Sequence, residues 1–324
     1  MLSAKENLLR AIHRDSPEWV PNGMEAVAWV GPPVIERCAS AGCDAFGVRW
    51  AYEPRVEGGT FPAQGGHPIS ELSRWREQIM IPDLDAMNWD GVAAYAARID
   101  RDQYLLSGFI EMGLFERSYL LLGMSEALIG FAAEPDLMDE LLRALADYKI
   151  RLIERLDDVA DLDIVWYGDD WGTQDRLFLR PALWRQIVGP HTKRIYDAMK
   201  RRGVLINQHS CGKIQAIFED VAEMGADIWN PCQPCNDLAA LKQRYGGRIA
   251  FCGGIDSQFV LNRPGATPEE VRAEVRKRID EMAAGGGYIA APSHSVPYDP
   301  ALLAAMNDEI ATYGRRCYER PAGG

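Results

Sequence analysis

The sequence predicts an α/β protein folded as one (β/α)8 TIM barrel, a single domain over residues 1–324. Three observations predict it. From about Tyr104 onward, short apolar runs alternate with stretches of helical period. The runs are apolar throughout, the pattern of parallel strands covered on both faces. Polar residues able to do chemistry stand at the C-terminal ends of successive runs, the ends that converge on one mouth in a barrel. A doubly wound sheet is the alternative, but no G-x-G-x-x-G follows an early strand to support it.

The first element is an amphipathic helix in "MLSAKENLLRAIHRDSPEW", which lacks the apolar core of a signal segment. The stretch Glu53–Pro68, "EPRVEGGTFPAQGGHP", is dense in Gly and Pro and reads as a long loop over one end of the domain. The expected strands are "YLLSGFI", "LDIVWYGDD", "GVLINQHSCG", "ADIWNPCQ", "RIAFCGGID" and "GGYIAAPSH". Helices are expected over "PDLMDELLRALADYKIRLIERL", "PALWRQIVGPHTKRIYDAMKRRG" and "TPEEVRAEVRKRIDEMAAGGG". The last opens with a Thr267/Glu270 capping pattern and closes on glycines.

Composition narrows the function. Hydrophobic residues make up 47 %, enough for a large core. The net charge is −12 and no Lys/Arg cluster stands out, which argues against a nucleic-acid partner. No apolar run approaches the roughly 20 residues that span a bilayer, so no membrane partner is expected. Seven cysteines without a framework spacing read as free thiols or metal ligands in a reducing, cytoplasmic compartment.

In "INQHSCGKI", His209 and Cys211 are two residues apart at a strand end, so both side chains point the same way and can reach one ion; the alternative is a buried cysteine beside a hydrogen-bonded histidine. Imidazole and thiolate suit zinc. A third ligand could come from His294 at the end of the last strand, or from Asp169 or Asp170. Asp169 and Asp170 are adjacent, so one faces the mouth and the other caps a helix or binds a loop backbone. Cys232 and Cys235 form a competing C-x-x-C, but Pro234 lies between them and no second pair completes a zinc ribbon. Trp50, Trp166, Trp171 and Trp229 fall near strand ends and suggest a pocket for a flat, largely apolar ligand, with Gln233 and Asp256 beside it.

Taken together, "GDDWGTQ", "INQHSCGKI", "WNPCQPCNDLAALKQRYGGRIAFCGGID" and "GGGYIAAPSH" resemble the uroporphyrinogen decarboxylase superfamily, and within it the zinc-dependent, cobalamin-linked methyltransferase branch. The resemblance implies a (β/α)8 barrel of the uroporphyrinogen decarboxylase-like type. It implies that His209 and Cys211, in an H-x-C-G motif, are zinc ligands. The branch takes a third ligand from a cysteine in a P-G-C-G-like turn, where this chain reads Pro292-Ser293-His294-Ser295. The implied activity is methyl transfer of the O-demethylase type, from a small methoxylated aromatic to a corrinoid (cobalamin) carried by a partner protein that docks beside Glu53–Pro68. Asp169, Asp170 and His294 are the implied catalytic residues. The alternative is a decarboxylase or lyase on a smaller acid, with His294 and an aspartate as proton donor and anchor. Decarboxylation of uroporphyrinogen itself is not expected: the decarboxylases meet their substrate carboxylates with arginines where this chain reads "WVPNGMEAVAWVGPPV", and "CDAFGVRW" offers no obvious counterpart to their early aspartate.

Overall fold

The computed structural model describes residues 2–54, 59–294 and 296–319. Helix α1, Ala4–His13, starts where Ser3 accepts a hydrogen bond from the Glu6 N–H and ends on Arg14 in the left-handed region. Strand β1, Val27–Val30, follows. A small antiparallel sheet comes next, made of β2 (Gly42–Cys43), β3 (Arg49–Tyr52) and β4 (Thr60–Pro62). The Gly/Pro-rich stretch expected as a loop therefore contains a strand, because Thr60–Pro62 pairs with Arg49–Tyr52. Residues 55–58 of that stretch lie outside the described residues.

The remaining strands alternate with helices. They are β5 (Leu105–Ile110), β6 (Ile164–Gly168), β7 (Leu205–His209), β8 (Ile228–Asn230), β9 (Ala250–Ile255) and β10 (Tyr288–Pro292). The helices that matter below are α2 (Leu114–Leu122), α3 (Pro135–Ala160), α4 (Gly189–Arg201), α5 (Phe218–Met224), α6 (Leu238–Tyr245), α7 (Pro268–Met282) and α8 (Pro300–Glu319). Helix α7 carries the full capping box between Thr267 and Glu270. The expected helix over Pro181–Gly203 is interrupted by a π turn at Trp184–Val188 before α4.

Strands β1, β5, β6, β7, β8, β9 and β10 form one parallel sheet in that order. The sheet has seven strands among the described residues, where a (β/α)8 barrel has eight. The physical reason lies between Val30 and Leu105: that stretch builds the small antiparallel sheet and short helices and adds no strand to the large sheet. The large sheet is nevertheless curled. Ala290 of β10 donates its N–H to the Pro21 carbonyl (2.9 Å) and accepts from the Gly23 N–H (2.7 Å), so the chain leading into β1 runs along the far edge strand. Val27, Leu105, Ile164, Ile228, Ala250, Cys252 and Ile289, from six different strands, share one apolar cluster with Leu8, Ala11 and Ile12 of α1. Strands at opposite edges of a flat sheet could not share it. Helix α1 thus plugs the N-terminal end of the sheet, and the C-terminal strand ends are left for a site.

Among the described residues, no helix is long and apolar enough to cross a membrane.

Candidate metal centre and the strand ends around it

The site is built on β6 and β7, which pair with Gly168 opposite His209. Just beyond these ends, Asp170, His209 and Cys211 place a carboxylate oxygen, a ring nitrogen and a sulfur within 4.8 Å of one another. The His209 Nε2 lies 3.5 Å from the Cys211 Sγ and 3.5 Å from the Asp170 Oδ1. Donors bound to tetrahedral zinc at about 2.0–2.3 Å stand about 3.3–3.8 Å apart. Both separations fall in that range, and the third, from Asp170 to Cys211, is within 4.8 Å, so the donor set and its spacing are compatible with a zinc ion that keeps a fourth position open.

The surroundings fix each donor. The His209 Nδ1 lies 2.6 Å from the Asn230 Oδ1, and Asn230 in turn donates to the Asn207 Oδ1. An acceptor at Nδ1 places the ring proton there and leaves the Nε2 lone pair aimed at the group, the usual support of a metal-binding histidine. The Cys211 N–H donates to the Asp170 Oδ1 at 2.7 Å. Gly212 follows with φ +82°, and a Cβ there would meet the Gly172 carbonyl carbon at 2.1 Å, so the turn after Cys211 requires glycine. Its N–H donates to the Gln233 Oε1.

Charge in this corner is one-sided. Asp169 is fully buried and accepts from the N–H groups of Phe115 and Glu116 at the start of α2 and from the Trp171 indole. Burial pushes its carboxyl up to about 6, against the pull of those hydrogen bonds. Burial, then Asp170 and Asp169, push Glu116 well above the usual carboxylate range. Burial and then Asp170 raise the Cys211 thiol. Three carboxyls and a thiol gathered in one partly buried corner favour a cation among them.

Adjacent as they are, Asp169 and Asp170 take different places: Asp169 turns inward to α2, and Asp170 joins the His209–Cys211 group. His294 stands outside that group. Its ring Nε2 is 2.7 Å from the Gln233 Nε2, and with Gln233, Cys235, Asp256, Phe259 and Ser293 it lines a small cleft of about 80 Å³. Ser295, the last residue of the expected Pro-Ser-His-Ser turn, lies outside the described residues. Asp256 uses its carboxylate to cap the turn at Gln258 and Phe259. Cys232 is buried, with its thiol on the Trp229 carbonyl.

Of the four tryptophans, only Trp166 lies against the group, its ring 4.6 Å from that of His209. Trp171 packs edge-on against Trp184, and Trp229 against Phe218 and Phe251; both are fully buried, so neither offers a face to a ligand. Trp50 is buried under the small sheet, donating to Asp44. Position at a strand end does not say which way a ring points.

Sequence reasoning missed Asn230, Trp29, Phe109 and Glu111. Trp29, Phe109, Trp166 and His209 come from β1, β5, β6 and β7, neighbours in the sheet, and form a row of rings with centroid separations of 6.2, 4.5 and 4.6 Å. Trp29 is 38 % exposed and Phe109 37 % exposed. The run "LLSGFI" is largely apolar on both parities, so it carried no signal that Phe109 faces the site. Glu111, next along the same parity, has its carboxyl raised by burial and lies 3.9 Å from Arg37.

Known proteins share this architecture. A methyltransferase from Methanosarcina mazei superposes with a TM-score of 0.74 over 97 % of this chain and 99 % of its own, at 15 % identity, a likeness of fold. The uroporphyrinogen decarboxylase of Methylococcus capsulatus is 28 % identical over 192 residues, 55 % of this chain and 49 % of its own length. The methylcobamide:CoM methyltransferase MtaA of Methanosarcina barkeri is 28 % identical over 156 residues, 47 % of this chain and 43 % of its own length. The chain thus spans about half the length of the curated relatives it matches. A family model described as uroporphyrinogen decarboxylase (URO-D) matches residues 88–313, a span that begins before β5, ends in α8 and holds Asp170, His209 and Cys211, and the chain belongs to that family.

Proposed function

We propose that the protein is a zinc-dependent methyltransferase of the O-demethylase type, which moves a methyl group from a small methyl ether to a corrinoid held by a separate protein. The observation that carries the reading is the Asp170–His209–Cys211 group, with its two 3.5 Å donor separations. The relation to a methylcobamide:CoM methyltransferase supports the reaction class.

In this reading His209, Cys211 and Asp170 hold the metal. Bound zinc would supply Lewis acidity at the heteroatom that carries the methyl group. Asn230 holds the imidazole in the tautomer whose Nε2 can donate a lone pair. Asp169 anchors the start of α2 beneath the site through two backbone N–H groups and so fixes the floor on which Asp170 sits. Trp166 walls one side of His209.

Incubating purified, zinc-loaded protein with reduced cobalamin and a panel of methyl ethers, methylamines and methyl thioethers tests this, with methylcobalamin followed by its spectrum. A methyl ether should give methylcobalamin, and chelation or Cys211→Ser should abolish the signal. If no donor methylates cobalamin while zinc is stoichiometric, the reading fails.

A second reading, a carboxy-lyase, is favoured by the curated decarboxylase relatives and by His294 standing apart from the metal group over its own small cleft with Asp256. It requires CO2 release from a small carboxylate, lost on His294→Ala and indifferent to chelation.

A further inference from the structure

We propose that the cleft at the N-terminal end of the sheet, between the end of α1, α6 and the loop before β10, binds a phosphoryl group through Arg14 and Lys242. This cleft is at the opposite end of the strands from the metal group, and the proposal does not depend on the methyltransferase reading.

The cleft holds about 660 Å³, and its lining includes His13, Arg14, Lys242, Gln243, Glu281 and Gly285. Arg14 caps the end of α1 and Lys242 lies on α6, so folding brings together two cations that the sequence keeps far apart. Gly287, with φ +70°, shows how closely they approach. A Cβ there would lie 2.9 Å from the Arg14 Cγ and 3.1 Å from the Lys242 Nζ.

Neither cation is neutralised by a neighbour. Among the described residues, the Arg14 Nη1 is buried without a hydrogen-bond partner, and no carboxylate is within ion-pair distance of either the Arg14 guanidinium or the Lys242 ammonium. The ammonium donates to the Gly286 carbonyl and keeps two hydrogens for another acceptor. The nearby acids are engaged elsewhere. Glu281 accepts from the Arg278 Nη1 at 2.8 Å. Asp227 accepts from the Ile206 N–H at 2.8 Å, faces Lys200 at 3.9 Å and acts on Arg14 only from a distance. Burial, and then the Arg14 charge, depress the Lys242 pKa to about 8, so the two cations oppose each other.

Like charges held together in a partly buried cleft cost stability until an anion joins them. A phosphoryl dianion matches both charges. Its oxygens can take the guanidinium fork and the ammonium at once. The cleft has the volume of a small-molecule site, so it admits the body of a phosphate monoester beyond the phosphoryl group.

The test is calorimetric titration at constant ionic strength with inorganic phosphate, glycerol 3-phosphate, glycerol and acetate. Phosphate and glycerol 3-phosphate should bind at one site per chain and displace each other, acetate should bind at least tenfold more weakly, and glycerol should not bind. A tighter ester assigns the site to phosphate monoesters, and equal affinities assign it to the free ion; both keep the phosphoryl site. Arg14→Gln and Lys242→Gln should each weaken phosphate about tenfold or more, whereas Arg14→Lys should keep most of the affinity. Cys211→Ser, at the other end of the strands, should leave it unchanged. Phosphate should also raise the thermal midpoint of the wild type and not that of Arg14→Gln. No phosphate binding by the wild type at millimolar concentration, or binding that both glutamine variants leave unchanged, overturns the proposal.

Discussion

The His209 Nε2 and the Cys211 Sγ face each other at 3.5 Å across the end of one strand, with the Asp170 Oδ1 equally far from the same nitrogen. Those two separations are the spacing of ligand pairs around one tetrahedral ion, and all three donor atoms lie within 4.8 Å of one another. The expected outcome is about one zinc per chain in protein purified without chelator. Cys211→Ser and His209→Ala should each cut this by tenfold or more at equal total protein. Elemental analysis decides it, and zinc content unchanged by Cys211→Ser removes the site.

The Asn230 contact to the His209 Nδ1 gives a separate handle, because Asn230 is not itself a donor in the group. Losing it frees the ring to rotate and to take the other tautomer. Partners of this kind are worth 10–100-fold in metal affinity. Asn230→Ala should weaken zinc binding by about that factor while leaving binding stoichiometry at one, as read by competition with a chromophoric chelator. An affinity equal to wild type would show that the ring is oriented by Trp166 packing alone.

These residues differ in how far the sequence disclosed them. His209 and Cys211 were legible because an i, i+2 pair at a strand end has a fixed common direction, and the strands were legible because their runs are apolar on both faces. The small sheet was not: Thr60–Pro62 sits in a Gly/Pro-dense stretch whose composition reads as loop, and its pairing with Arg49–Tyr52 is a tertiary fact. Trp171 and Trp229 stand at strand ends just as Trp166 does, yet their rings turn into the helix layer. Phe109 lies inside an apolar run and looks like core from the sequence, while it is 37 % exposed beside Trp29. Radial direction around a curled sheet is set by the strand's neighbours, and one strand's sequence does not contain it.

Gly212 is the backbone hinge of the H-x-C-G segment. Its φ of +82°, and the 2.1 Å that would separate an added Cβ from the Gly172 carbonyl carbon, leave no room for a side chain. Gly212→Ala combines a left-handed backbone penalty with a backbone clash, which together should cost about 2–4 kcal/mol. Urea unfolding should show the loss, and zinc should be lost with it because Cys211 is the preceding residue. A variant with wild-type stability and zinc would mean that the turn relaxes freely.

At the opposite end of the sheet, Lys242 gives a pH signature independent of the metal. Its ammonium donates to the Gly286 carbonyl, and burial, with Arg14 next, lowers its pKa to about 8 from the ordinary 10.5. The unfolded chain keeps this proton up to about pH 10.5, whereas the folded chain releases it near pH 8, so between those values the folded state binds fewer protons. Stability contributed by this group therefore rises as pH climbs from about 8 to about 10.5, and below about 8 the buried charge is a standing cost. Lys242 keeps some contact with solvent, so the gain should be roughly 1–3 kcal/mol rather than the full value of the shift. Lys242→Met should remove the slope across that window, whatever it does to stability at neutral pH through the lost Gly286 bond. The comparison is urea midpoints of the two proteins at about pH 7.5 and about pH 9.5. Parallel pH profiles for wild type and variant would mean that the lysine titrates alike in the folded and unfolded chain.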